Sequence, residues 1–240
     1  MNSKKILKIF LFLLVFAVAS PVSAGSGLAT KFYKEGIKLG NDGKLDEAVV
    51  KFQQAIRLDP KVYLYHLKLG YAYEMLERLP EAQAAYEDAV KFNPSSAESH
   101  KSLADVYRKL RFLDLAQKHY QTALKYKSKY VDAVYAIGLV LAEKNDMDGA
   151  IEAYKKTLKL DKKNEPACFR IANIYYFRKD FENAVKFYRQ ALELDKNRAE
   201  SYYGLGMSYK ELGKTQEAKE NLKIACEKNL KKGCVEAFKM

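Results

Sequence analysis

Alanine stands at positions 48, 82, 116, 150, 184 and 218 of this 240-residue chain, six times at a spacing of 34 without a miss. Four residues after these come Phe52, Tyr86, Tyr120, Tyr154, Tyr188 and Leu222. Three further on stand Ala55, Ala89, Ala123, Thr157, Ala191 and Ala225. Upstream, the same register holds Gly36, Gly70, Ala104, Gly138, Ala172 and Gly206, followed three positions later by Leu39, Tyr73, Tyr107, Leu141, Tyr175 and Tyr209. A fixed period of this length marks a stacked-repeat architecture. One unit cannot bury its apolar face alone, and its neighbours complete a continuous core. The chain has 5 prolines and long Lys/Glu/Ala/Leu-rich stretches, which favour helix. Gly43, Gly213 and the polar pair Asn145-Asp146 mark turns between two helices of a unit.

The run Leu69-Gly70, with Tyr73 three residues on, then Ala-x-x-x-Phe/Tyr-x-x-Ala, then a closing proline at Pro60 and Pro94, resembles the tetratricopeptide repeat family. The resemblance covers residues 29–232 as six repeats without insertion: 29–62, 63–96, 97–130, 131–164, 165–198 and 199–232. It implies an all-α fold, a right-handed α-α superhelix or solenoid of six helix pairs. The sequence departs from the family at the tryptophan slot, which holds Phe32, His66, His100, Val134, Cys168 and Tyr202, and at Glu35, a charge in an apolar slot.

The resemblance also implies where a partner binds. In this family the first helix of each repeat lines a concave groove, here through positions two, five, nine and twelve. Tyr33, Leu64, Leu67 and Tyr71 form one apolar-aromatic patch, and Tyr135, Leu139, Phe169, Tyr176, Tyr203 and Met207 a second; Lys101, Arg108 and Asn173 are polar members of the same set. Exposed aromatics suit the anchoring of a protein or peptide segment; packing against the adjacent repeat is the other reading of each. A Lys/Asn/Arg clamp for C-terminal carboxylates is absent, since Lys101 is followed by Asp105 and Asn173 is preceded by Phe169. Tyr71 and Tyr73 are two helical steps apart, about 200°, so they face opposite sides. The register assigns Tyr73 to packing and Tyr71 to the groove.

Residues 1–24 differ from the rest. Lysines at 4, 5 and 8 precede an apolar run from Ile9 to Ala19, and Val22-Ser23-Ala24 is a small-x-small cleavage pattern. This reads as a secretory signal peptide cleaved after Ala24. An uncleaved anchor is the alternative, but the run is short of the roughly 20 residues that span a bilayer. No cysteine follows it, as a lipoprotein anchor would require. The expected product is periplasmic or secreted, with no transmembrane span, residues 25–28 as a linker and 233–240 as a short C-terminal cap. Loss of the three lysines lowers the formal charge from +12 to +9. Such a balance admits contact with anionic envelope glycan or lipid. It equally describes a solvated lysine-rich surface. No aromatic-flanked basic motif of an RNA-binding module is present, and no nucleic-acid partner is expected.

Cys226 and Cys234 lie in a Cys-x7-Cys spacing that resembles the cysteine-linked Sel1-like relatives of the family. That likeness implies a disulfide at the C-terminal end; two free buried thiols are the alternative. Cys168 falls in a core slot. His66 and His100 share one core slot, which favours packing over metal binding, and His119 has no ligand-spaced companion. There is no H-E-x-x-H, P-loop, G-x-S-x-G or dinucleotide fingerprint, so no cofactor and no catalysis are expected. The function expected is a non-catalytic scaffold of protein–protein interaction. By family analogy it serves envelope assembly, secretion or pilus biogenesis, or acts as accessory subunit of an envelope enzyme.

Overall fold

The computed structural model describes residues 21–239. Most of the leader read over 1–24 lies outside these residues. Among them there are thirteen helices: α1 (Pro21–Asn41), α2 (Leu45–Leu58), α3 (Tyr63–Met75), α4 (Leu79–Phe92), α5 (Ala97–Lys109), α6 (Leu113–Tyr126), α7 (Val131–Glu143), α8 (Met147–Leu160), α9 (Glu165–Phe177), α10 (Phe181–Leu194), α11 (Ala199–Glu211), α12 (Thr215–Glu227) and α13 (Lys231–Phe238). No strand occurs among the described residues. The fold is the all-α superhelix of repeats that the 34-residue period implies. From α3 onward the first helices begin at 63, 97, 131, 165 and 199, and from α2 onward the second helices begin at 45, 79, 113, 147, 181 and 215. The chain divides into two compact units, 1–106 and 107–240, with the division inside α5. In the first unit α1 to α4 pack in sequence order; in the second, α6 to α13 do the same.

Within a pair, the small residue of the first helix meets the ring of the second. A Cβ added to Gly70 would lie 2.6 Å from the Tyr86 ring, one on Gly36 2.7 Å from Phe52, and one on Gly138 2.5 Å from Tyr154. Glycine inside a helix costs roughly 1 kcal/mol relative to alanine. It is present here because the ring occupies the space a side chain would need. Tyr86, Tyr120 and Tyr154 are consequently among the largest fully buried side chains.

The turn from first to second helix recurs as faithfully. Gly43, Glu77, Arg111, Asn145, Lys179 and Gly213 all have positive φ and stand 34 residues apart. Each closes a tight helix end in which the next N–H reaches back five residues, as Lys44 does to the Leu39 carbonyl (2.9 Å) and Asp180 to Tyr175 (3.0 Å). The glycine signal showed only two of these six turns, because the packed helices on either side impose the left-handed backbone on three side chains that disfavour it.

Two features depart from the sequence reading. Residues 25–28, expected as a linker, continue α1 without a break, with Thr30 Oγ1 donating to the Ser26 carbonyl at 2.9 Å. The cap expected at 233–240 is a helix that begins at Lys231. It follows a left-handed Asn229 (φ 65°), so α12 ends in the first-to-second type of turn and α13 folds back on it. Gly233 lies so close to α12 that a Cβ there would be 2.8 Å from the Ala225 Cβ. Cys226 and Cys234 are joined by a disulfide across this turn, and Glu236 is held by Lys210 and Lys239 at 2.8 Å each.

Cys168 is the free cysteine, fully buried; burial pushes its thiol up to about 11, a structural role. His66 and His100 are buried, and their Nε2 atoms lie 2.8 and 2.9 Å from the carbonyls of Pro60 and Pro94. Each thereby ties a first helix to the proline that closes the preceding repeat.

Gly70→Leu is expected to lower the unfolding free energy by about 1–3 kcal/mol, since Tyr86 has no room to retreat; urea denaturation measures it. Lys179→Gly is expected to raise stability by about 0.5–1 kcal/mol. Relief of the left-handed strain, roughly 1–2 kcal/mol, exceeds the extra chain entropy of glycine. An unchanged or lower denaturation midpoint would show that the turn is unstrained.

Candidate functional site

In the first unit, Tyr71 and Met75 are each 55% exposed and stand one turn apart on α3. Tyr73, between them in sequence, is buried, accepts from Gln53 Nε2 at 2.9 Å and lies under the Arg78 guanidinium at 4.7 Å. The expected opposition of Tyr71 and Tyr73 is present. Leu64 is half-buried, as is Tyr33, whose ring is 5.1 Å from that of Tyr65 and 6.0 Å from that of Phe52. Leu67 corrects the sequence reading: it is 2% exposed and offers no surface to a ligand. Where an aromatic residue holds the fifth position, it packs beside the second-helix ring. Tyr135 lies on Tyr154 at 5.5 Å and Phe169 on Tyr188 at 6.1 Å. Lys101 is neutralised on its own helix by Asp105 at 2.7 Å.

In the second unit a cavity of about 660 Å³ opens between the first helices, lined by Arg108, Leu139, Ala142, Glu143, Asn145, Met147, Tyr154, Arg170, Asn173, Ile174, Phe177 and Arg178. It brings together three residues expected in the groove, Arg108, Leu139 and Asn173. Tyr176, Tyr203 and Met207 lie outside its lining and are half-buried. Tyr176 makes edge contacts with Phe177 and Phe181. Phe169 is covered by the Arg198 guanidinium at 3.9 Å.

The cavity's charges are partly spent. Glu143 accepts from Arg108 Nη1 at 2.8 Å and from Arg111 Nη1 at 2.5 Å, and Arg178 donates to Asp148 at 2.6 Å. Asn173 Oδ1 accepts the Tyr188 hydroxyl at 2.6 Å, which leaves its amide N–H groups as donors. The Tyr154 hydroxyl is buried without a partner, as is Arg108 Nε. Burial raises the Tyr154 hydroxyl's pKa; Tyr135 adds to the shift and the Arg170 charge opposes it.

Register alone did not find Met75 and Phe177, the latter 82% exposed. Both occupy the thirteenth position, one helical turn beyond the ninth, and the ninth–thirteenth ridge was the available signal. Arg170, at the sixth position, was missed because the sixth position was not among those assigned to the groove; its counterparts are Lys34, Lys68, Ser102, Ala136 and Gly204, cationic only in the first two repeats.

A tetratricopeptide repeat model matches residues 33–97 and 102–165, a second model of that description matches 200–229, and a TPR repeat model matches 172–213. A search of curated proteins found no match. Among solved structures, MamA is 28% identical, with 69% of this chain and 96% of that chain covered and a TM-score of 0.65. YrrB, described as a TPR protein with an unusual peptide-binding site, is 19% identical, with coverages of 79% and 98% and a TM-score of 0.65. PilW, described as a widely conserved type IV pilus biogenesis factor, is 18% identical, with coverages of 81% and 90% and a TM-score of 0.71.

Tyr71→Ala is expected to change stability by less than about 0.5 kcal/mol, and Tyr73→Ala to cost about 3 kcal/mol. Paired denaturant melts measure both. Equal losses would place Tyr71 in the core.

Proposed function

The chain belongs to the tetratricopeptide repeat family, and on that premise we propose that it is a non-catalytic scaffold that binds a segment of a partner protein. The binding surface is the face of the first helices. The observation that carries this reading is the exposure of large apolar side chains there, Tyr71 and Met75 in the first unit and Phe177 in the second, while the rings that hold the pairs together are buried. An unburied aromatic contributes nothing to the core and much to an interface. Tyr33, Tyr176, Tyr203 and Met207, half-buried, extend the contact.

The scaffold is exported to the periplasm or secreted, on the strength of the charged, apolar and small-residue segments of positions 1–24. No described helix is long and apolar enough to cross a membrane. A role in envelope assembly, secretion or pilus biogenesis accords with that location; the likeness to PilW is one of fold. A second reading, contact with anionic glycan or lipid, is favoured by the exposed lysines 125, 127 and 129 around the turn between α6 and α7.

Salt separates the two. Partner recovery on immobilised protein is expected to persist in 1 M salt and to be lost when Tyr71 and Phe177 are both replaced by alanine. Recovery that survives both substitutions would refute the face; recovery that collapses with salt alone would assign binding to the lysines.

A further inference from the structure

In repeats two to five the second-helix ring is a tyrosine, Tyr86, Tyr120, Tyr154 and Tyr188, and in three of the four a polar side chain of the first helix meets its hydroxyl. Tyr86 donates to Glu74 Oε2 at 2.9 Å, Tyr188 donates to Asn173 Oδ1, and Tyr120 is hydrogen-bonded to Arg108. Those partners occupy the ninth or twelfth position. In the fourth repeat these positions are Leu139 and Ala142, which have no polar atom to offer. The fully buried Tyr154 therefore ends in an unpartnered hydroxyl at the cavity of the second unit.

The rest of that cavity is short of acceptors: besides its one carboxylate, only the amides of Asn145 and Asn173 carry side-chain oxygens. Its carboxylate, Glu143, is engaged by two arginines. Asn173 has given its oxygen to Tyr188 and retains two N–H groups. Arg170 is exposed and carries a positive charge that no carboxylate of the cavity is left to balance. Donors without acceptors, one of them buried, call for a ligand that brings acceptors. A carboxylate supplies two oxygens and the balancing charge. The lining also includes the apolar Met147 and Ile174 and the exposed Phe177, one helical turn beyond Asn173 on α9.

Resting on the groove-binding reading above, we propose that this cavity takes an acidic side chain of a partner segment, a Glu or Asp flanked by a large apolar residue. The carboxylate accepts from Arg170, Asn173 Nδ2 and the Tyr154 hydroxyl, and the apolar neighbour lies against Phe177. Leu139 and Ala142 are then what leaves the hydroxyl free for the ligand.

Selection of a displayed random peptide library on the purified protein tests this, with Tyr71→Ala as a control in the other unit. Selected peptides are expected to share an Asp or Glu beside Leu, Ile, Met or Phe. Arg170→Ala, and replacement of the peptide's acid by its amide, are each expected to weaken binding about tenfold or more, the two losses not adding because they remove the same interaction. Tyr154→Phe is expected to unfold at the same or higher denaturant concentration than the parent, since it deletes an unsatisfied hydroxyl, and yet to bind the peptide several-fold more weakly. A role confined to packing would not separate these two readouts. Peptides without a shared acid, or acidic peptides that bind Arg170→Ala as tightly as the parent, would overturn the proposal. If such peptides remain sensitive to Tyr71→Ala, the groove reading survives. If no peptide is selected at all, both readings fail.

Discussion

The close approach of two helices over an aromatic ring is the interaction on which everything else in this protein rests. Gly36, Gly70 and Gly138 give up side chains so that Phe52, Tyr86 and Tyr154 can lie against the first-helix backbone. Without that contact a 13- or 14-residue helix has little stability of its own. With it, each pair becomes a layer whose remaining apolar edges are buried by the next layer in its unit. Where the ring is a tyrosine, its hydroxyl is directed to the polar side chains of the first helix, as Tyr86 is to Glu74 and Tyr188 to Asn173.

The two ends of a pair are secured by different means. The first-to-second turn is a left-handed residue enforced by packing, whether or not the side chain suits it, as Glu77, Arg111 and Lys179 show. Across successive repeats of the second unit, recurring ion pairs join Lys144 to Asp114 and Arg178 to Asp148, at 2.7 and 2.6 Å. These are exposed and contribute little each. At the C-terminal end, α13 and the Cys226–Cys234 disulfide close over Ala225 and Leu222, covering backbone that a further repeat would otherwise cover.

Much of the fold was legible in the sequence because it repeats. A signal weak at one position, such as a glycine beside an alanine, becomes unambiguous when it recurs at 34-residue spacing, and the opposition of Tyr71 and Tyr73 followed from register alone. The C-terminal disulfide was anticipated by likeness to cysteine-linked relatives. What was not legible lies in the exceptions to the repeat. Leu67 is buried, at a fifth position whose aromatic counterparts Tyr33, Tyr135 and Phe169 lie beside the second-helix ring, a tilt that position counting does not carry. Phe177 and Arg170 belong to the cavity through the geometry of neighbouring repeats. Tyr154 follows the pattern in its own identity; only the loss of polar partners at Leu139 and Ala142 distinguishes it.

The account's central claim is that the first-helix face, and in the second unit the cavity beneath Arg170, receives the partner. A selected peptide carrying a photoactivatable residue next to its acidic side chain addresses it directly, with the attachment site mapped by mass spectrometry. Attachment within α7 and α9, at Val131–Glu143 and Glu165–Phe177, is the expected result. Attachment at Met147 or Tyr154 of α8, which line the same cavity, agrees with it; attachment on α10, or around the lysines at 125–129, would contradict it.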